Sequence, residues 1–187
     1  MNKGKLIIIS APSGCGKGTV VKQLMSRSDN YRFSVSATTR QPRNGEIDGK
    51  DYFFVSRERF MEMVEDDAFL EHAIYASACY GTPKAPVDEM LEAGYDVLLD
   101  IEVQGAFQVK EKRPDTLMIF LLPPSFEELE KRLVLRGTDS PEKIKERLKI
   151  ARTECQLADK FDYRVVNDDL SECVQKVIDI ISKEKKI

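Results

Sequence analysis

The stretch APSGCGKGT, residues 11–19, holds the residues best suited to chemistry in this chain. Backbone amides of Ser13, Gly14, Cys15, Gly16 and Lys17, set at the positive end of a helix, would converge on phosphate oxygens. Gly14 and Gly16 leave the approach open, and Lys17 adds a point charge. The general pattern for such a loop is G-x-x-x-x-G-K-[ST]. Here Ala11 replaces the first glycine, and Gly18 replaces the hydroxyl that would face magnesium, with Thr19 one place later. Alanine fits at position 11 if φ stays negative, which Pro12 encourages. Mg²⁺ is satisfied mainly by phosphate oxygens and retained water, so the loop remains competent, with Thr19 reaching a phosphate.

A second set lies in SVSATTRQPRNGEIDGKDYFFV, residues 34–55. Arg40, Arg43 and Tyr52 offer two guanidinium forks and a phenol, groups able to close on a dianionic phosphate. Taken alone, this run reads better as a solvated basic loop. Glu71 alone likewise reads as a surface carboxylate. Arg132 and Arg136 share a helix face at i, i+4, and Arg147 lies on the next helix; exposed arginines of this kind commonly make surface pairs.

These groups need a frame to position them. Leu6–Ser10 is a short β-branched run leading into the glycine loop, and Val20, Val21, Leu24 and Met25 follow at helical spacing. The runs Val97–Ile101, Leu117–Leu122 and Tyr163–Val166 show little polar alternation and read as buried parallel strands. Ser125 with Glu128 predicts a capped helix ending at Gly137. Ser140-Pro141 opens the next helix, with Ile144, Leu148 and Ala151 on one face. A last helix carries Val174, Val177, Ile178 and Ile181. Residues 33–88 differ: Asn44-Gly45 and Asp48-Gly49 are turn dipeptides, and Ser56 caps a brief helix bearing Phe60, Met63 and Val64. The expected fold is α/β, a doubly wound parallel core carrying a small β-rich insertion.

Composition narrows the class. A chain of 187 residues suits one α/β domain with small insertions. Apolar content of 42% against 33% charged describes an ordinary globular protein, and a net charge of −3 gives no global case for nucleic acid. Cys15, Cys79, Cys155 and Cys173 form no C-x-x-C pair, and the chain has one histidine. Reduced thiols in a cytoplasm are therefore expected rather than disulfides or a metal cage. The apolar run near the start is too short for a signal peptide or a membrane span.

The blocks APSGCGKGT, SVSATTRQPR, GxxxGKDYFFV, the glutamate of FLEH, YGTP, LDIEVQG, LxxRGTDS and VVNDD occur in one order along nearly the whole chain. In this the sequence closely resembles the guanylate kinases, and its GKGT ending also resembles the adenylate kinases. The resemblance implies a P-loop core at 1–32, 88–131 and 153–187, a GMP-binding insertion at 33–87 and a helical lid at 132–152. It implies transfer of a phosphoryl group from ATP to GMP, or dGMP, with Mg²⁺ and without nucleic acid or membrane. ATP would meet Ala11, Pro12, Ser13, Gly14, Cys15, Gly16, Lys17, Gly18 and Thr19, with Asn167 and Asp168 by the adenine. GMP phosphate would meet Arg40, Arg43, Tyr52 and Tyr80. Guanine would meet Ser36, Glu71 and Thr82, with Asp100 and Glu102 beside the acceptor. Lys17, Arg43, Arg136 and Arg147 would act on the transferring group, and Thr19 or Asp100 would be the protein groups able to join the metal. Two departures stand out: Glu102 where aspartate is common, and Ser77-Ala78-Cys79 before Tyr80. Two other readings share these features, a phosphoprotein-binding scaffold domain and a kinase for AMP or UMP. Lys17, Arg136 and Arg147 argue against the first, and Glu71 against the second. Oligomeric state is not legible.

Overall fold

In β1 (Leu6–Ser10) every residue is buried, so neither face of the strand meets water. Side chains alternate across a strand, and β1 uses both directions: Ile7 and Ile9 join one apolar cluster, Leu6 and Ile8 the other. The computed structural model describes residues 3–75, 77–135, 137 and 139–185. After β1 the chain forms α1 (Lys17–Arg27), β2 (Tyr31–Phe33), β3 (Ala37–Thr38), β4 (Phe53–Phe54), α2 (Arg57–Glu65), β5 (Phe69–Tyr75) and β6 (Ala78–Pro83). There follow α3 (Lys84–Glu92), β7 (Asp96–Asp100), α4 (Val103–Lys112), β8 (Leu117–Leu122), α5 (Phe126–Leu135), α6 (Pro141–Gln156), β9 (Tyr163–Val166) and α7 (Leu170–Glu184).

The main sheet runs β2-β7-β1-β8-β9, and all its pairings are parallel. One face packs on α1 and α7 through Val20, Val21, Leu24, Val174, Val177 and Ile181. The other packs on α3 and α4 through Val87, Leu91, Val103, Ala106 and Val109. Helices on both faces of a parallel sheet make the α/β doubly wound core expected from the sequence. Full burial of one such aliphatic side chain contributes roughly 1.5–3 kcal/mol, so the sheet is a rigid base for the loops at its carboxyl edge. β1 has β7 on one side and β8 on the other, and the loops after such neighbouring strands border a crevice.

A second sheet, β4-β3-β6-β5, is mostly antiparallel and sits between β2 and α3 in the chain. Its small core joins Ala37, Phe60, Phe69 and Cys79 with Phe53, Met63 and Val64. Ser56 accepts the Arg59 amide as the cap of α2, and Gly45 and Gly49 take the positive φ that their turns require. Helices α5 and α6 pack on each other through Leu129, Leu133, Ile144 and Ala151. Ser125 accepts from the Glu128 amide, and Ser140 accepts from the Lys143 amide with Pro141 in the first turn.

One strand departs from expectation. β9 pairs only with β8, and Arg164 and Val166 on it are exposed. It is an edge strand with one covered face, where Tyr163 and Val165 pack on the core, rather than the fully buried strand expected. Strand β2 carries no signal of its own, since three residues are too few to show a period.

Candidate active site

The loop between β1 and α1 owes its shape to two glycines. Gly14 and Gly16 both have φ near 90°, a conformation that side chains disfavour. Space forbids a side chain as well: a Cβ at Gly14 would stand 2.7 Å from Leu133 Cδ2, and one at Gly16 2.8 Å from Asn167 Nδ2. Gly18 differs, with nothing within 4 Å of its Cβ position. Ala11 is buried and keeps a negative φ, so the missing first glycine costs the backbone nothing. Gly16 caps α1 without a side-chain bond; the Thr19 and Val20 amides donate to the Gly16 carbonyl at 3.1 Å, which leaves the Lys17 and Gly18 amides, among the described residues, for an anion.

Support for the loop comes from far along the chain. Asn167 Nδ2 donates to the Cys15 carbonyl at 2.7 Å, and Arg132 Nη1 donates to the Asn167 carbonyl at 3.0 Å. The Asn167 side chain is thus committed to the loop. Cys15 turns its thiol inward, toward the Leu121 carbonyl at 3.7 Å, and burial pushes that thiol up to about 12. It packs as a small neutral side chain.

Two cavities meet beside Lys17. The first, about 440 Å³, is bordered by Lys17, Ser36, Tyr52, Glu71, Tyr80, Asp100 and Glu102, and also by Phe33, Gln104 and Gly105. The second, about 640 Å³, is bordered by Ala11–Gly14, Gly16–Thr19, Glu102, Arg132, Arg147, Ile150 and Glu154. Lys17 and Glu102 line both. Lys17 Nζ lies 2.7 Å from Asp100 Oδ1 and donates to the Ile101 carbonyl at 3.1 Å.

Glu71 borders the first cavity and is itself buried. A register irregularity falls between Phe69 and Glu71 on β5, and Thr82 on β6 is the residue paired opposite Glu71. Irregularities of this kind re-aim a side chain next to active sites. Thr82 Oγ1 donates to Glu71 Oε1 at 2.6 Å. Burial raises the Glu71 pKa, Thr82's bonds oppose the rise, and the charge of Glu102 adds to it. Thr82 itself is buried and does not border the cavity.

Arg40 stands at the rim, its guanidinium 5.2 Å from the Tyr52 ring centre; Tyr52 and Tyr80 meet edge-on at 6.1 Å. Both arms of Arg40 donate to Glu46, at 2.8 and 2.9 Å, and the Arg43 amide donates to the same carboxylate at 2.7 Å. That Arg40 bond pulls Glu46 down to about 2. The Arg43 side chain is exposed, and neither arginine borders the first cavity. Arg147 Nη1 lies 3.2 Å from Asp139 Oδ2. Arg136 lies outside the described residues, and Asp168 is exposed without bordering the second cavity.

Sequence reasoning missed Glu46, Gln104, Gly105 and Glu154. Glu46 carried a usable signal, an acid three places after Arg43 across the Asn44-Gly45 turn. Glu154 sits on α6 with Oε2 buried and unpartnered; burial and the charge of Glu102 push it up to about 7, with Lys17 opposing.

A carboxylate in one cavity, a phosphate-suited loop at the next and a lysine bordering both form a crevice of two adjoining parts. Comparison with known proteins points to one family. The family model described as guanylate kinase matches residues 3–184. The guanylate kinase of Clostridium tetani is 51% identical over 185 residues, covering 99% of this chain and 88% of that one. That of Caldanaerobacter subterraneus subsp. tengcongensis is 52% identical over 183 residues, covering 98% and 89%. The crystal structure of guanylate kinase from Anaplasma phagocytophilum superposes with a TM-score of 0.76 at 35% identity, covering 98% of this chain and 87% of that one. With the fold, the loop and full-length similarity in agreement, this chain belongs to the guanylate kinase family.

Proposed function

We propose that this protein transfers the γ-phosphoryl group of ATP to GMP, giving ADP and GDP. The observation that carries the reading is the sharing of Lys17 and Glu102 by two adjoining cavities, one ending in the phosphate-suited loop and the other in Glu71. Guanine offers two donors, N1–H and N2–H₂, beside the O6 acceptor. Glu71, with Oε1 held by Thr82, accepts from that edge, and Ser36 donates to O6. Thr82 gives its proton to Glu71, so its part is to aim the carboxylate. Adenine turns an N1 lone pair toward the same carboxylate. A site built on such bonds rejects the wrong base by roughly 10⁴–10⁵.

The reaction needs position and charge compensation more than covalent help from the protein. A GMP phosphate oxygen forms the new P–O bond as the bond between the γ phosphorus and its bridging oxygen breaks, the electron pair leaving with ADP. Amides of Ser13, Gly14, Gly16 and Lys17 hold the donor phosphates, the Cys15 amide being bonded to the Pro12 carbonyl at 3.1 Å, and Lys17 leaves Asp100 for them. Arg40, Arg43, Tyr52 and Tyr80 close on GMP phosphate, with Arg43 swinging in from the rim; Arg147 leaves Asp139 for the transferring group, and Arg136 joins it.

Among the described residues, no group of three or more His, Cys, Asp or Glu side chains is set to hold a metal alone. The donor set suits an ion that arrives with its phosphates, with Thr19 or Asp100 joining its shell. Mg²⁺ so bound would neutralise charge on the β and γ phosphates. The same proposal assigns 33–87 to GMP, 132–152 to a lid and the protein to the cytoplasm, consistent with free cysteines and no described helix long and apolar enough to cross a membrane. The test is ADP release measured with GMP, dGMP, AMP and UMP as acceptors. Turnover with GMP and a preference of at least about 10³ over AMP are expected; equal rates, or none, would overturn the reading.

A further inference from the structure

Gly105 is the third residue of α4 and has no turn to make, since it lies within the helix and keeps a negative φ. Alanine is the better residue for such a position. What glycine provides here is space. A Cβ at Gly105 would stand 2.8 Å from Glu71 Oε2, 3.2 Å from Cδ and 3.3 Å from Cγ. The contrast with Gly18 is plain, where added bulk meets nothing. Glu71 is therefore confined from two sides: Thr82 holds Oε1, and the bare surface of α4 receives Oε2.

We propose that Gly105 is a positioning residue that sets base specificity, its missing side chain letting the Glu71 carboxylate settle against the first turn of α4. The proposal rests on Glu71 reading the guanine edge. The first turn is the positive end of the helix, which favours an anion there. An alanine would force a retreat of ~0.6 Å to restore an ordinary contact of about 3.4 Å from 2.8 Å. Thr82 blocks an easy retreat, because its bond to Oε1 is already short at 2.6 Å. The carboxylate must then stretch that bond or advance into the cavity that both residues border. Hydrogen bonds to nitrogen work over a window of only about 0.5 Å, so the purine contacts are lost or distorted.

The ligand class affected follows from the chemistry. GMP presents two donors to Glu71, inosine monophosphate one, and AMP none at N1. Displacing the carboxylate therefore harms GMP most, IMP less and AMP least. A merely structural role for Gly105 would instead harm all three acceptors and lower stability.

The test is a double-mutant cycle with wild type, Gly105→Ala, Glu71→Ala and the double variant, measuring kcat/KM for GMP, IMP and AMP and thermal melts. Gly105→Ala is expected to lower kcat/KM for GMP by about 10- to 100-fold, chiefly through KM, with KM for ATP unchanged. In the Glu71→Ala background the same substitution is expected to leave GMP kinetics unchanged and to raise Tm. Equal losses in the two backgrounds, or unaltered GMP kinetics in Gly105→Ala, would overturn the proposal alone. A Glu71→Ala enzyme that keeps its preference for GMP over AMP would remove the base-reading role, and the proposal with it. If Gly105→Ala proves too unstable to assay, the melts decide: a deficit relieved by Glu71→Ala supports the steric contact, and one that persists refutes it.

Discussion

Replacing Glu71 with glutamine keeps the volume of the side chain but exchanges one acceptor oxygen for a donor. Glu71 is only 7% exposed, and its Oε1 already receives the Thr82 hydroxyl at 2.6 Å. The carboxamide can accept one guanine donor, and its own NH₂ then faces the other. The change removes one hydrogen bond to a charged group, about 1.5–3 kcal/mol, and strands one donor, about 1–3 kcal/mol. A combined loss of ~3–5 kcal/mol corresponds to about 10²–10⁴ in kcat/KM for GMP. AMP gains an amide donor opposite N1, so its kcat/KM holds or rises. Stability moves the other way. Burial raises the folded pKa of Glu71 above its ordinary value, so folding is penalised once pH exceeds that raised value and is not penalised below the ordinary carboxylate range. Glu71→Gln should therefore melt higher than wild type at pH 8 and lose that advantage on acidification. The assay is kcat/KM for GMP and AMP with ATP saturating, paired with melts at both pH values. An unchanged GMP-to-AMP ratio would refute the argument, as would a loss shared equally between them with a lowered melt.

Asn167→Ala removes the bond to the Cys15 carbonyl; KM for ATP should rise roughly tenfold, matching about 1.4 kcal/mol, while KM for GMP stays, as steady-state kinetics will show. Glu154, pushed up to about 7, holds more protons folded than unfolded between about pH 4.5 and 7, so its burial weakens the fold as pH rises through that window. Glu154→Gln should raise Tm at pH 8 by about 2–4 °C, taking the screened effect as ~1 kcal/mol, and by nothing near pH 4.5. Cys15, buried with its thiol near 12, should resist iodoacetamide at pH 8 until the protein is unfolded, read by mass spectrometry of its peptide.

What could be read in advance was local in the chain. The strand, glycine loop and first helix are consecutive, so their order alone predicts a phosphate-suited turn, and Ser56, Ser125 and Ser140 cap helices that begin at the next residue. What escaped depends on residues far apart in sequence. Asn167 supports a loop 152 positions away, and nothing in VVNDD distinguishes that from a role beside adenine. The bond from Thr82 to Glu71 was not legible, because the cross-strand pairing of the two comes only from the β5–β6 register. Gly105 looked like an ordinary residue of LDIEVQG, since the clash that forbids a side chain exists only when α4 meets β5. Glu46 escaped although it was near, because its bond to Arg40 needs the turn between them to be tight.

Lys17 touches both rooms of the crevice and is paired there with Asp100 and the Ile101 carbonyl. A donor that draws the ammonium toward its own phosphates bares a negative carboxylate on the neighbouring side. Occupancy of one room would thereby alter the affinity of the other, by a factor that thermodynamics requires to be the same in both directions. A single side chain in a shared wall would thus let the two substrates sense one another.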